Sequence, residues 1–224
     1  MPEMILETIK KAVVEGDPKA AVLATEKAIE KKIAIKEVLT EGLIPGIRTV
    51  GELFNSGEYF LPELITGGKA MQAALEHINP FLEKLDRSES SSPGKFLIGT
   101  VKGDMHDIGK LIVVMMLKSN RWEVTDLGID VSAEQFCNAV RDGNYDIVGM
   151  SCLLTMTMPQ AALTINALKE AGLKKNIKIM VGGAPVTKAS AERMGADGYG
   201  ENAWEAVTVG EELLKQIRKE REQL

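Results

Sequence analysis

Several scarcities in this chain are informative. Two cysteines, Cys137 and Cys152, among 224 residues are too few for a disulfide framework, so a reduced, cytoplasmic setting is expected. Aromatic residues make up only 4%, which argues against a base-stacking surface. Lysine and arginine number 27 against 32 acidic residues, a net charge of −5. That balance leaves no basic footprint for nucleic acid or an anionic membrane surface. No apolar run approaches the roughly 18 residues of a membrane helix. The opening Met1-Pro2-Glu3-Met4 does not read as a signal peptide, so no membrane segment is expected. Histidine occurs just twice. What is abundant is apolar residues, 45% of the total, enough for one good core or two modest domains.

From residue 3 to about 85 the pattern is helical throughout. Met4, Ile5, Ile9, Ala12 and Val13 keep helical spacing up to Gly16. Asp17-Pro18 supplies an N-cap and a first-turn proline for a second helix to about Lys31. A third is expected over 35–54, kinked at Pro45 and closed by Asn55-Ser56-Gly57. A fourth opens near Phe60-Leu61-Pro62. Four helices with short connections predict an antiparallel bundle over 1–86. A polar, breaker-rich stretch, Asp86-Arg87-Ser88-Glu89-Ser90-Ser91-Ser92-Pro93-Gly94, then reads as a linker over 87–94.

Over 95–224 strand-like and helix-like segments alternate. Strands are expected near 95–101, 122–126, 145–151, 177–181 and 196–199. Helices are expected near 108–119, 132–142, 158–171, 187–194 and 202–219. Five such units predict an α/β fold with a doubly wound, five-stranded parallel sheet of flavodoxin or Rossmann-like type, in order 2-1-3-4-5.

Between the first strand and its helix lies Gly103-Asp104-Met105-His106-Asp107-Ile108-Gly109-Lys110. A phosphate loop needs four residues between its glycines and a hydroxyl after the lysine; here five intervene and Leu111 follows Lys110. Two readings remain for His106. It is either a hydrogen-bonded turn residue or a metal ligand whose second ring nitrogen is oriented by Asp104. A lone histidine cannot complete a tetrahedral zinc site. It can complete a metal whose other positions are filled by a macrocycle.

The turn has company. Ser151-Cys152-Leu153 begins after forty-one residues beyond Gly109, and Gly182-Gly183 after twenty-eight beyond Leu153. Taken singly, these are a strand-end hydroxyl and an ordinary turn. Together, Asp-x-His-x-x-Gly, Ser-x-Leu and Gly-Gly at these spacings resemble the cobalamin-binding signature of methionine synthase. The small corrinoid proteins of anaerobic methyl-transfer and O-demethylase systems share it. The stretch Val50 to Phe54 with Gly57 to Glu63 is similar to the helical cap preceding the cobalamin domain in that family.

The resemblance implies a cobalamin or related corrinoid cofactor, cycling between cob(I)alamin and methylcobalamin, with His106 as the lower cobalt ligand. Asp104 would fix its tautomer, and Thr157, six residues after Ser151, would supply the hydroxyl of the relay. Gly103, Met105, Asp107, Ile108 and Gly109 would complete the ligand loop. Ser151, Leu153, Thr155, Gly182, Gly183 and Ala203 would line the channel for the nucleotide tail. Glu52 and residues near Phe60 would face the upper side of the ring. The implied activity is methyl carriage, from a substrate-specific methyltransferase to a second, tetrahydrofolate-linked one, with a reductive activator as a third partner. The chain is too short to hold barrels of about 250 residues each for those reactions. Methanol, methylamines, betaine and aryl methyl ethers are the candidate donors, and overall resemblance leans toward ethers. The rival readings are a cobalamin-sensing regulatory module and a mutase subunit.

Overall fold

The computed structural model describes residues 2–85 and 92–222. The chain divides into two compact units at Leu85. Residues 87–91 of the expected linker lie outside the described residues. Its last residues belong to the second unit: Glu123 N–H donates to Ser92 Oγ at 3.2 Å and Arg218 donates to the Pro93 carbonyl at 2.6 Å.

The first unit is wholly helical among its described residues. Helix α1 (Pro2–Val14) buries Ile9, Ala12 and Val13 of the anticipated stripe, but its first turn is rotated: Leu6 is buried there, Ile5 only half-buried and Met4 exposed. Helix α2 (Pro18–Glu30) is capped by Asp17, whose Oδ1 accepts from the N–H groups of Lys19 and Ala20, both at 3.0 Å. The third helix departs from expectation. Instead of one helix kinked at Pro45, a short α3 (Ile35–Glu37) runs into a π-helical turn, Val38–Leu43, before α4 (Ile44–Ser56). Proline has no N–H to donate, and the wide turn absorbs the mismatch. The Ile44 N–H reaches Leu39 O, five residues back. Gly57 ends α4 in the left-handed region at φ 81°. Helix α5 (Leu61–Leu85) then packs against α2 and α4, while α1 packs against α2 and α4.

The second unit alternates β1 (Lys95–Thr100), α6 (Ile108–Ser119), β2 (Glu123–Asp126), α7 (Ala133–Asp142) and β3 (Ile147–Ser151). It continues with α8 (Met158–Glu170), β4 (Lys178–Gly182), α9 (Lys188–Met194), β5 (Gly198–Gly200) and α10 (Ala203–Glu222). All strand pairs are parallel, in the order β2-β1-β3-β4-β5. A parallel sheet needs cover on both faces, which is why its central strands read as continuous apolar runs. Leu97, Val148, Ile179 and Val181 meet Phe136, Ile165 and Leu168 in one core cluster. Phe96 meets Trp122 edge-on, ring centres 5.8 Å apart, and α10 and α6 pack against one another.

Register places the strand ends level with one another. Thr100 pairs with Ser151, Ser151 with Gly182, and Gly182 with Gly200. The loops after β1, β3 and β4 therefore leave from one edge, which is where open α/β sheets hold ligands. Both cysteines are free and buried. Burial pushes the Cys152 thiol up to about 11, with the Asp104 charge adding to it, and burial raises Cys137 against the pull of Arg141.

Candidate cofactor site

The loop after β1 folds back so that Asp104 is fully buried while His106 stays half exposed, its side chain at 51%. Asp104 Oδ1 lies 2.7 Å from His106 Nδ1 and also accepts the His106 backbone N–H at 3.1 Å. Its Oδ2 accepts from Leu153 N–H at 2.7 Å, Leu154 N–H at 3.3 Å and the Thr157 hydroxyl at 2.8 Å. Thr157 is also the N-cap residue of α8, so the carboxylate sits against a helix amino end. Burial by itself would raise the Asp104 pKa. The bonds from Leu153 N–H, the His106 ring, the Thr157 hydroxyl and His106 N–H outweigh it and hold the group well below the ordinary carboxylate range.

An ionised carboxylate can only accept, so the ring proton belongs on Nδ1 and Nε2 presents its lone pair. Thr100 Oγ1 donates to the His106 carbonyl at 3.0 Å and steadies the backbone beneath it. The two loops that meet at Asp104 also carry exposed apolar side chains that water ordinarily drives inside: Met105 at 65% exposure, Met156 at 85%, and Leu153 and Leu154. Among the described residues no group of three His, Cys, Asp or Glu side chains could hold a metal ion. A metal at Nε2 must therefore bring its other ligands with it, inside something large and partly apolar. A corrinoid meets both requirements.

The glycines fit the same guest. Beyond its chain neighbours and the α6 backbone, no heavy atom lies within 4 Å of where a Cβ on Gly109 would stand, which leaves open space at the start of α6. Gly183 is under a different constraint: it sits at φ 122°, and a Cβ there would collide with the Cys152 carbonyl. Ser151 contributes its carbonyl to Val101 N–H at 3.0 Å, and the Gly182 carbonyl accepts Cys152 N–H at 3.0 Å.

The structure thus brings Asp104, His106, Thr157 and Leu153 into direct contact. Gly103 and Met105 share their loop, and Asp107, Ile108 and Gly109 start α6. Ser151, Gly182 and Gly183 sit at neighbouring strand ends, Thr155 is exposed in the loop after β3, and Ala203 opens α10. Glu52 belongs to the other unit, exposed on α4. Reading the sequence alone missed four supports: Thr100, the Leu154 N–H, Lys110 and Asp130. Lys110 is the one with a visible signal, a lysine directly after the second glycine of the turn; it is buried and paired with Asp126.

A parallel sheet with an imidazole raised at its carboxyl edge on a buried carboxylate defines a cofactor-binding domain of the cobalamin class. A family model described as B12 binding domain matches residues 94–208, and a second of the same description matches 5–79. Dimethylamine corrinoid protein 1 of Methanosarcina acetivorans is 42% identical over 212 residues, covering 95% of this chain and 98% of that protein. Trimethylamine corrinoid protein 2 of Methanosarcina mazei is 38% identical over 95% of this chain and 97% of its own. Among solved structures, the monomethylamine corrinoid protein of Methanosarcina barkeri superposes with a TM-score of 0.83 at 31% identity, over 95% of this chain and all of that one. The methanol:cobalamin methyltransferase complex of the same organism gives 0.53 at 28%, over 95% of this chain and 80% of that one. The chain belongs to the family of cobalamin-binding corrinoid proteins of methyltransferase systems, and its cofactor is a corrinoid.

Proposed function

We propose that this chain is the methyl carrier of a system that demethylates a methylated amine, with His106 as the lower ligand of the corrinoid cobalt. The observation that carries the reading is the 2.7 Å contact between Asp104 and His106 Nδ1, which leaves Nε2 as a ready ligand amid exposed apolar side chains. When bound, the corrinoid supplies a cobalt centre that, reduced, is nucleophilic enough to take a methyl group and later to yield it. The chain's own residues do the rest. Asp104 fixes the imidazole's tautomer, so that Nε2 would face the cobalt. Thr157 and the Leu153 and Leu154 N–H groups keep that carboxylate ionised. Met105, Leu153, Leu154 and Met156 give the ring an apolar seat and limit water beneath it.

The helical unit, residues 1–86, is the proposed cover, joined by residues 87–94 to the cofactor domain of 95–224. Exposed Phe54, Phe60, Leu61 and Ile65 around the turn between α4 and α5 support this, because a bundle rarely leaves such side chains in water without use. Glu52, exposed on α4 near them, is the proposed polar contact of the cover.

The relatives serve di-, tri- and monomethylamine systems by name, which favours a methylated amine over the aryl ethers as donor. We assign the amine's recognition to a separate methyltransferase. The onward acceptor is assigned to a tetrahydrofolate-linked methyltransferase, and reactivation to a reductive partner. A reduced cytoplasmic setting agrees with the two free thiols, and no described helix is long and apolar enough to cross a membrane. The test is to load the purified chain with hydroxocobalamin, reduce it, and add its cognate methyltransferase with each amine in turn. Visible absorbance should report methylation with one methylated amine; methylation by an aryl methyl ether alone overturns the substrate assignment. A chain that stays colourless overturns the whole reading.

A further inference from the structure

The His106 loop is gripped from a direction that none of the signature residues explains. Asp130, in the connection between β2 and α7, stands at φ 55°, in the left-handed region that a residue with a side chain seldom occupies. Its Oδ1 accepts Gly103 N–H at 2.7 Å, its Oδ2 pairs with Lys102 Nζ at 2.9 Å, and its own N–H donates to the Asp104 carbonyl at 3.1 Å. Gly103 answers with φ 80°. Four residues earlier, Asp126 accepts from buried Lys110 in the first turn of α6 and, through Oδ1, from Gly128 N–H at 2.9 Å. Thr100 N–H donates to the Gly128 carbonyl and Val131 N–H to the Thr100 carbonyl, both at 2.9 Å. The last residue of β2 and the connection after it therefore hold the His106 loop at both ends, at 110 and at 102–104. Strained backbone of this kind persists where the surroundings over-determine it, and it gathers at ligand clamps.

We infer that Asp130 is a positioning residue for His106. It acts through Gly103 and Asp104: the Asp104 side chain orients the imidazole, and the Asp130 contacts set where the Asp104 backbone stands. The inference rests on reading His106 as the lower cobalt ligand. It adds to that reading a residue from the edge-strand connection, outside all three signature segments.

Two substitutions in the full chain test it. Asp130→Gly removes the carboxylate yet suits the left-handed backbone. Asp130→Asn tolerates the same backbone and keeps an acceptor for Gly103 N–H. Nitrogen NMR of the His106 ring in the cofactor-free chain reads the tautomer. The visible spectrum of the hydroxocobalamin-loaded chain across pH reads the fraction ligated by His106. In Asp130→Gly the single Nδ1–H tautomer should give way to a mixture, and ligation should weaken about tenfold, as for other groups that orient a metal-bound histidine. Asp130→Asn should recover most of both, and circular dichroism should show each variant folded. Should Asp130→Gly fail to fold, Asp130→Ser, whose hydroxyl is too short to span both partners, takes its place with the same readouts. A tautomer and spectrum indistinguishable from the unsubstituted chain overturn the inference. An unsubstituted chain that binds no cobalamin would instead sink the functional reading, while the ring NMR still judges Asp130.

Discussion

Thr157 and Asp104 stand 53 positions apart along the chain, yet the threonine hydroxyl donates to the carboxylate at 2.8 Å in a fully buried contact. That bond joins the loop after β3 to the loop after β1 and completes a line of hydroxyl, carboxylate and imidazole. The extra methyl of threonine, relative to serine, does not displace the hydroxyl from the line.

Thr157→Val keeps the shape and removes the donor. Asp104 retains its backbone donors, so the fold should persist with a loss of about 2 kcal/mol, in the range for a hydrogen bond to a charged group. Urea unfolding of the cofactor-free chain measures it, and Thr157→Ser should lose less than half as much.

His106→Ala should still bind cobalamin, because the proposed tail contacts at Ser151, Gly182 and Gly183 and the exposed apolar side chains of the loops do not depend on the imidazole. Its visible spectrum should be that of a corrinoid without a lower nitrogen ligand. An unaltered spectrum would remove His106 from the metal.

Asp104 ionises in the folded chain well below the ordinary value of 3.8. As pH falls, the unfolded chain therefore takes up this proton before the folded one. The stabilisation is complete above the ordinary value and drains away as pH drops toward the folded-state value. Urea midpoints measured from about pH 5 to about pH 3 should fall less steeply in Asp104→Asn than in the unsubstituted chain. Equal slopes would mean that Asp104 is not held ionised by the fold.

Two glycines make opposite predictions. Gly183→Ala places a methyl group against the Cys152 carbonyl at a positive φ, so it should destabilise the chain by about 2–4 kcal/mol. Gly109→Ala meets nothing within 4 Å beyond its chain neighbours and the helix's own backbone, and lies in the first turn of α6. The cofactor-free chain should gain about 0.5–1 kcal/mol of stability from it, and the proposed seating of the corrin against Gly109 predicts weaker cobalamin binding. Thermal unfolding and a cobalamin titration read the two effects separately.

The sheet was legible before the structure because its strands are short apolar runs punctuated by turn residues, and parallel order follows from the alternation with helices. Helix α6 starts and stops where the spacing put it. Strand β5 shifted to Gly198–Gly200, because Asp197 is engaged beforehand: its N–H donates to Ile179 O, and its carboxylate accepts Ile179 N–H. The π-helical turn before Pro45 was not legible. A proline announces a break in the hydrogen-bond ladder, but whether the chain bends there or widens the preceding turn depends on packing around it.

At the site, Asp104 and His106 stood out in the sequence as a carboxylate two residues before a histidine in a glycine-flanked turn, whereas Thr157 was reached only through the resemblance to methionine synthase. Asp130 was reached by neither route. Its partners, Lys102, Gly103 and Asp104, are about 27 positions away, and an aspartate in a surface connection gives no hint of which carbonyl or N–H it will meet. Only the adjacency of β2 and β1 brings them together.

The two buried cysteines carry a practical consequence. Both thiols are shielded and kept in their protonated, unreactive form, so the chain behaves toward maleimides and spin labels almost as a cysteine-free scaffold. One new cysteine placed on the surface of each unit would accept a probe pair without first stripping out the native residues. The spacing between the helical half and the sheet could then be followed in solution through every stage of the methyl-transfer cycle.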